Sequence, residues 1–98
     1  MSRRLTFHNA AERELTDAAA YYDNSSPGLG ASFIDDVELA ITQIEQYPES
    51  GYLLNRVVRR VLLRRFPYAV MYSVSPDEIR ILAIANLKRR PFYWQGRR

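Results

Sequence analysis

The spacing of apolar residues changes near Val57, and that change limits what the chain can fold into. Before it, Ala11, Leu15, Ala18, Ala19 and Tyr22 recur at the i, i+4, i+7, i+8, i+11 spacing of one helix face. Phe33, Ile34, Val37, Ala40, Ile41 and Ile44 make a second, broader stripe. After it, Tyr68, Val70, Tyr72 and Val74 alternate with Ala69, Met71 and Ser73, the period-two pattern of a strand. Residues 79–85 are apolar apart from Arg80, as expected of a central strand covered on both faces.

The punctuation fits this division. A short strand is expected over Arg3–His8, with Leu5 and Phe7 on one face. Asn9 has the chemistry of a helix N-cap, and Glu12 three residues on makes a variant capping box. Asn24-Ser25-Ser26-Pro27-Gly28 interrupts the helix, and Ser26-Pro27 reads as the cap and first position of the next. So short a connection predicts an antiparallel helical hairpin. Pro48 stops the second helix, and Gly51 lies in the turn beyond. Val57–Arg65 mixes β-branched residues with arginines, without an alternation clean enough to assign its faces. Phe66-Pro67 falls at a bend, and Ser75-Pro76-Asp77-Glu78 is a type I turn candidate.

The expected order is β-α-α-β-β-β in an α+β fold. A helical hairpin should pack on one face of a mainly antiparallel sheet of about four strands, giving two layers. The other face is expected to be more polar, partly concave through sheet twist, and lined by arginines. A chain of 98 residues points to one domain spanning 1–98.

Several function classes are excluded by what the sequence lacks. There is no cysteine, hence no disulfide or thiolate metal site, and the one histidine, His8, cannot assemble a histidine cluster. No apolar run approaches the roughly 18–20 residues of a membrane span, and no apolar segment follows Arg3 and Arg4 as a secretory signal requires. A cytoplasmic protein without cofactor, metal or membrane association is expected.

Charge divides at the same place as the apolar pattern. Residues 1–55 hold nine acids against three bases, and residues 56–98 hold eleven bases against two acids. Such polarity favours an anionic partner for the second half. The candidate partner-binding set is Arg56, Arg59, Arg60, Arg64, Arg65, Lys88, Arg89 and Arg90, with Tyr93 and Trp94 as an exposed aromatic pair. Glu12, Glu14, Asp17 and Asp23 fall mostly off the first helical stripe and should be solvated, as should the adjacent Asp35 and Asp36, which diverge by about 100° on a helix. Tyr68 and Tyr72 are expected in the core. Tyr21, Tyr22 and Tyr47 should seal the helix–sheet interface, and His8 is expected to be structural.

The chain also resembles the RelE/ParE superfamily of bacterial toxins from type II toxin–antitoxin modules. The resemblance rests on Tyr21-Tyr22, on Ile41-x-x-Ile44-x-x-Tyr47-Pro48-x-x-Gly51, on Val58-Arg59, and on Arg65-Phe66-Pro67-Tyr68-x-Val70-x-Tyr72. It closes with Ala83-Ile84-Ala85-Asn86-Leu87-Lys88-Arg89-Arg90-Pro91-x-Tyr93-Trp94. The Phe-Pro-Tyr strand start and the tail look more like the ParE side. What that implies is a toxin that poisons DNA gyrase and is neutralised in a hetero-oligomer by a cognate antitoxin, which lays an acidic segment across the helical hairpin and sheet edge. The RelE side implies the alternative, a ribosome-dependent, metal-independent mRNA endonuclease.

Such cleavage needs a base for the 2′-hydroxyl, cations on the phosphate and an acid for the leaving oxygen. Arg59, Arg65, Lys88 and Arg89 are the cation candidates and Tyr93 the acid; no base is evident. Ala69 stands where RelE-like nucleases place an arginine, and Asn86 where relatives with this tail often carry histidine. These departures favour a docking surface. A plain nucleic-acid-binding domain fits the charge, but no recognition motif accompanies it.

Overall fold

The computed structural model describes residues 3–98. Its elements are β1 (Arg4–Phe7), α1 (Asn9–Ser25), α2 (Leu29–Gln46), β2 (Tyr52–Leu53), β3 (Val58–Leu62), β4 (Tyr68–Ser75) and β5 (Glu78–Asn86). They form one five-stranded sheet in the order β1-β5-β4-β3-β2. β1 runs parallel to β5 and the other pairs are antiparallel, so the mainly antiparallel α+β fold is as expected. The fifth strand is β2, only two residues long and legible in the sequence only as turn residues after Gly51.

The helical hairpin covers one sheet face. Phe33, Val37, Ile41 and Ile44 of α2, with Ala11 and Ala18 of α1, pack against Val61, Val70, Tyr72, Ile79, Ile81 and Ile84. Phe33 is the fully buried member of an aromatic group with Tyr22, Phe66 and Tyr68. Its ring lies 4.9 Å from Tyr68, 5.2 Å from Phe66 and 5.4 Å from Tyr22, in edge-to-face or tilted arrangements that ring quadrupoles favour. Tyr68 and Tyr72 are core residues and Tyr22 is half-buried there. Tyr21 and Tyr47, however, are 66% and 65% exposed; Tyr21 lies beside Tyr22 but off the stripe, and Tyr47 follows the last turn of α2.

Both helix starts differ from the expected caps. His8 caps α1, its Nδ1 accepting from the N–H of Ala10 at 3.0 Å; Asn9 is already the first helical residue. α2 begins at Leu29, after a left-handed Gly28, with no side-chain cap of its own. Asp23 of α1 does the work of Ser26 instead: its Oδ1 accepts from the N–H groups of Gly28 (2.9 Å) and Gly30 (3.3 Å). The end of one helix thus caps the start of the next, which fixes the hairpin.

The second face departs most from expectation. Where a more polar face was expected, Val58, Ala69, Met71, Leu82, Ala83 and Ala85 form a smaller apolar cluster, closed by Trp94 at 3% exposure. A register shift supplies part of it. Leu82 is the extra residue between the pairs Tyr72↔Ile81 and Met71↔Ala83, so Leu82 and Ala83 both reach this face before Ile84 returns to the helix side.

Candidate partner-binding surface

After Asn86 the chain turns back over the second face in successive tight turns. Asn86 starts them, its Oδ1 accepting from the Lys88 N–H at 2.9 Å and its carbonyl from the Arg89 N–H at 3.0 Å. Phe92 adopts φ 61°, a left-handed backbone that costs a bulky residue about 1–2 kcal/mol. The strap then seats Trp94 and ends on Arg97.

Glu14 holds it there. Its Oε1 accepts from the Ile84 N–H (3.1 Å) and Arg97 Nη1 (2.9 Å), and its Oε2 accepts from the Tyr93 hydroxyl (2.8 Å) and Arg97 Nη2 (3.1 Å). Arg97 Nη1 also donates to the Leu82 carbonyl at 3.0 Å. β1 ends opposite Ile81, so the backbone of β5 would be bare beyond it. The Glu14–Arg97 pair supplies one acceptor and one donor to that stretch, as a neighbouring strand would. Glu14 is therefore not the solvated carboxylate expected. Its signal was its place between Ala11 and Ala18, at spacings of three and four, on the border of the buried stripe.

Tyr93 is half-buried, and burial, the hydrogen bond to Glu14 and that carboxylate's charge all push its hydroxyl well above the ordinary tyrosine range. The guanidinium of Arg89 lies over its ring at 4.1 Å and that of Arg97 at 5.2 Å. Hydrogen bonding to Glu14 raises Arg97 above its usual range. The expectation of an exposed Tyr93–Trp94 pair is thus corrected: Trp94 is buried because the second face offers it an apolar bed, and the Tyr93 hydroxyl is committed to Glu14.

The arginines divide into structural and free ones. Arg59 pairs in register with Tyr72, on the helix side, and Nη1 donates to the carbonyls of Glu49 and Gly51 at 3.0 Å each. The Tyr72 hydroxyl donates to the Pro48 carbonyl (2.7 Å) and accepts from the Gly51 N–H (3.1 Å). A Cβ on Gly51 would strike that hydroxyl, which explains a glycine here. Burial raises the Tyr72 hydroxyl above its normal range. Arg65 serves at the other end of α2. Its N–H donates to Asp36 Oδ2 (2.9 Å), and its Nη2 to the Ser32 carbonyl (3.3 Å). Asp36, expected on a solvated face, is 2% exposed because it falls on the Phe33–Ala40 stripe and meets that N–H.

Arg56, Arg64, Lys88, Arg89 and Arg90 are exposed and Arg60 is half-exposed. Arg64 stands beside the α2–β3 crevice with Leu39 and Leu62. Arg60, Arg89 and Arg90 border a shallow groove of about 180 Å³ on the second face, together with Tyr93 and Trp94. The proposed nuclease set does not converge. Arg59 and Arg65 are anchored at opposite ends of α2, roughly 20 Å apart at 1.5 Å per residue. Neither lines the groove that holds Arg89 and Tyr93. Among the described residues no group of acids and histidine is placed to hold a metal ion, and no helix is long and apolar enough to cross a membrane.

The structure is a helical hairpin on one side of a five-stranded sheet with a basic strap on the other, the α+β class of fold expected from the resemblance to the RelE/ParE superfamily. A solved structure described as the chromosomal ParDE TA system from P. aeruginosa shares this fold, with a TM-score of 0.77 at 21% identity, over 89% of this chain and 98% of that one. The family described as the ParE toxin of the type II toxin–antitoxin system parDE matches residues 5–91. Toxin ParE2 of Mycobacterium tuberculosis is 34% identical over 95 residues, covering 93% of this chain and 88% of the relative. The chain belongs to the ParE toxin family.

Proposed function

We propose that residues 1–98 act as one toxin domain that arrests growth by binding and poisoning DNA gyrase, and that direct binding of a cognate antitoxin neutralises it. Family membership supports the toxin role. The separation of Arg59 and Arg65 along α2 is the observation that favours docking over RNA cleavage. Two cations spent on backbone carbonyls about 20 Å apart cannot share one phosphate. The more exposed cations, Arg56, Arg60, Arg64, Lys88, Arg89 and Arg90, remain as the surface that attracts an acidic partner.

The deciding experiment expresses the toxin in bacterial cells without antitoxin and assays the purified chain on gyrase supercoiling. The expected result is inhibited supercoiling and an SOS response while mRNA stays intact. Early loss of specific mRNAs with replication and supercoiling untouched would overturn the reading in favour of an endonuclease.

A further inference from the structure

The strap is tied to the body of the domain through very few polar groups. Among the described residues, most hydrogen bonds from Lys88 onward close the strap's own turns: Arg89 on Asn86, Tyr93 on Arg90, Gln95 on Phe92 and Arg97 on Trp94. Those that reach the body come from the Tyr93 hydroxyl and the Arg97 guanidinium, and they end on Glu14 and the Leu82 carbonyl. Trp94 adds apolar packing, which is not directional.

Arg89 and Arg90 lie between Asn86 and this anchor. Glu14 reaches Arg89 in two ways. Its Oε2 lies 3.9 Å from Arg89 Nη1, and it fixes the Tyr93 ring on which that guanidinium lies at 4.1 Å. Phe92, 48% exposed, directly precedes Tyr93. A long side chain on a loose segment must be ordered when a partner binds, at a cost in affinity; one held beforehand avoids that cost.

An acid beneath a basic docking surface sets charge against position. By charge alone Glu14 weakens the attraction for an acidic partner, and its removal should tighten binding. By position its removal should loosen binding. We propose that Glu14 is the positioning residue of the toxin's target-binding surface: it meets no target itself, and it sets the geometry in which Arg89, Arg90 and Phe92 do. The proposal rests on the docking reading above, with the strap as the part that docks.

The test uses the full chain. Glu14→Ala and Arg97→Ala change its charge in opposite directions. Both should raise the concentration that half-inhibits gyrase supercoiling by about tenfold, and both should delay growth arrest in cells that express the toxin without antitoxin. Opposite effects of the two, or none, would reduce the surface to bulk charge and overturn the proposal. Glu38→Ala removes an acid from the exposed side of α2 and should act as the parent does. Val37→Ala opens a cavity in the helix-side core, away from the strap. At a temperature where urea unfolding shows it and Glu14→Ala equally folded, Val37→Ala should also act nearly as the parent; an equal loss would leave Glu14 purely structural. Iodide quenching of Trp94, the one tryptophan, should rise in Glu14→Ala and Arg97→Ala but not in Val37→Ala. Unchanged quenching would overturn the anchor. Growth arrest by a parent that leaves supercoiling untouched would end the gyrase reading alone, with Glu14 then judged on arrest.

Discussion

On the helix side, the sheet buries Phe33, Ile44, Val70, Tyr72 and Ile84 under two helices that cap each other. On the far side, Val58, Met71 and Leu82 lie under a single indole and a strap fixed by one carboxylate. The first closure spreads over many contacts, each worth little alone and replaceable by its neighbours. The second is concentrated in Glu14, which receives four hydrogen bonds, so it has a single point of failure. Within one small domain, packing makes the fold and a polar anchor makes the outer surface.

The largest effect should come from the helix side. Phe33→Ala removes the fully buried ring of the aromatic group and should cost about 3–5 kcal/mol, read as a lower midpoint in urea unfolding. For a marginal domain of this size that is a large share of total stability. A loss below about 1 kcal/mol would mean that the helices are not the main support of the sheet.

Glu14→Ala is the sharper test of the contrast. It strands Arg97 and the Tyr93 hydroxyl and should cost about 2 kcal/mol, less than a fully buried pair because both side chains keep some solvent contact. Trp94 is the chain's one tryptophan, so its fluorescence reports on the strap directly. Its emission should shift to the red while the helical signal persists. Simultaneous loss of both signals would show that the two faces melt as one.

The smallest effect is expected from alkaline pH. The Tyr93 and Tyr72 hydroxyls titrate above their unfolded value of about 10. A raised folded pKa contributes stability that is fully present below pH 10 and is lost as pH rises through the folded value. The unfolding midpoint should therefore be flat through neutral pH and fall above about 10. Glu14→Ala should blunt that fall, because the strap it releases no longer shields Tyr93. An alkaline profile unchanged by Glu14→Ala would remove Tyr93 from the account.

The helix side was largely legible in the sequence, because its information is periodic. Phe33 to Ile44 and Tyr68 to Val74 announce their faces, and the order of elements follows from them. The second face was not legible, for a physical reason. Its cluster depends on a register shift at Leu82, which breaks the alternation that a reader relies on, and on a strap that crosses 83 residues of sequence to reach Glu14. The positive half was read as a surface, but charge alone could not separate Arg59 and Arg65, bound to carbonyls, from Arg60, Arg89 and Arg90. The hidden carboxylates Glu14 and Asp36 had a usable signal after all: each interrupts or borders an apolar stripe at helical spacing, a place where an acid needs a partner.

The span of the Glu14–Arg97 contact also orders events at the ribosome. Helices and hairpins form from neighbours and can assemble as they emerge. Glu14 leaves the exit tunnel early and then waits for Arg97, made 83 residues later. Throughout that interval the edge of β5 beyond Ile81 stays bare, and the groove beside Trp94 lacks a wall. The second face is therefore finished only after the helix-covered core, a delay written into its topology.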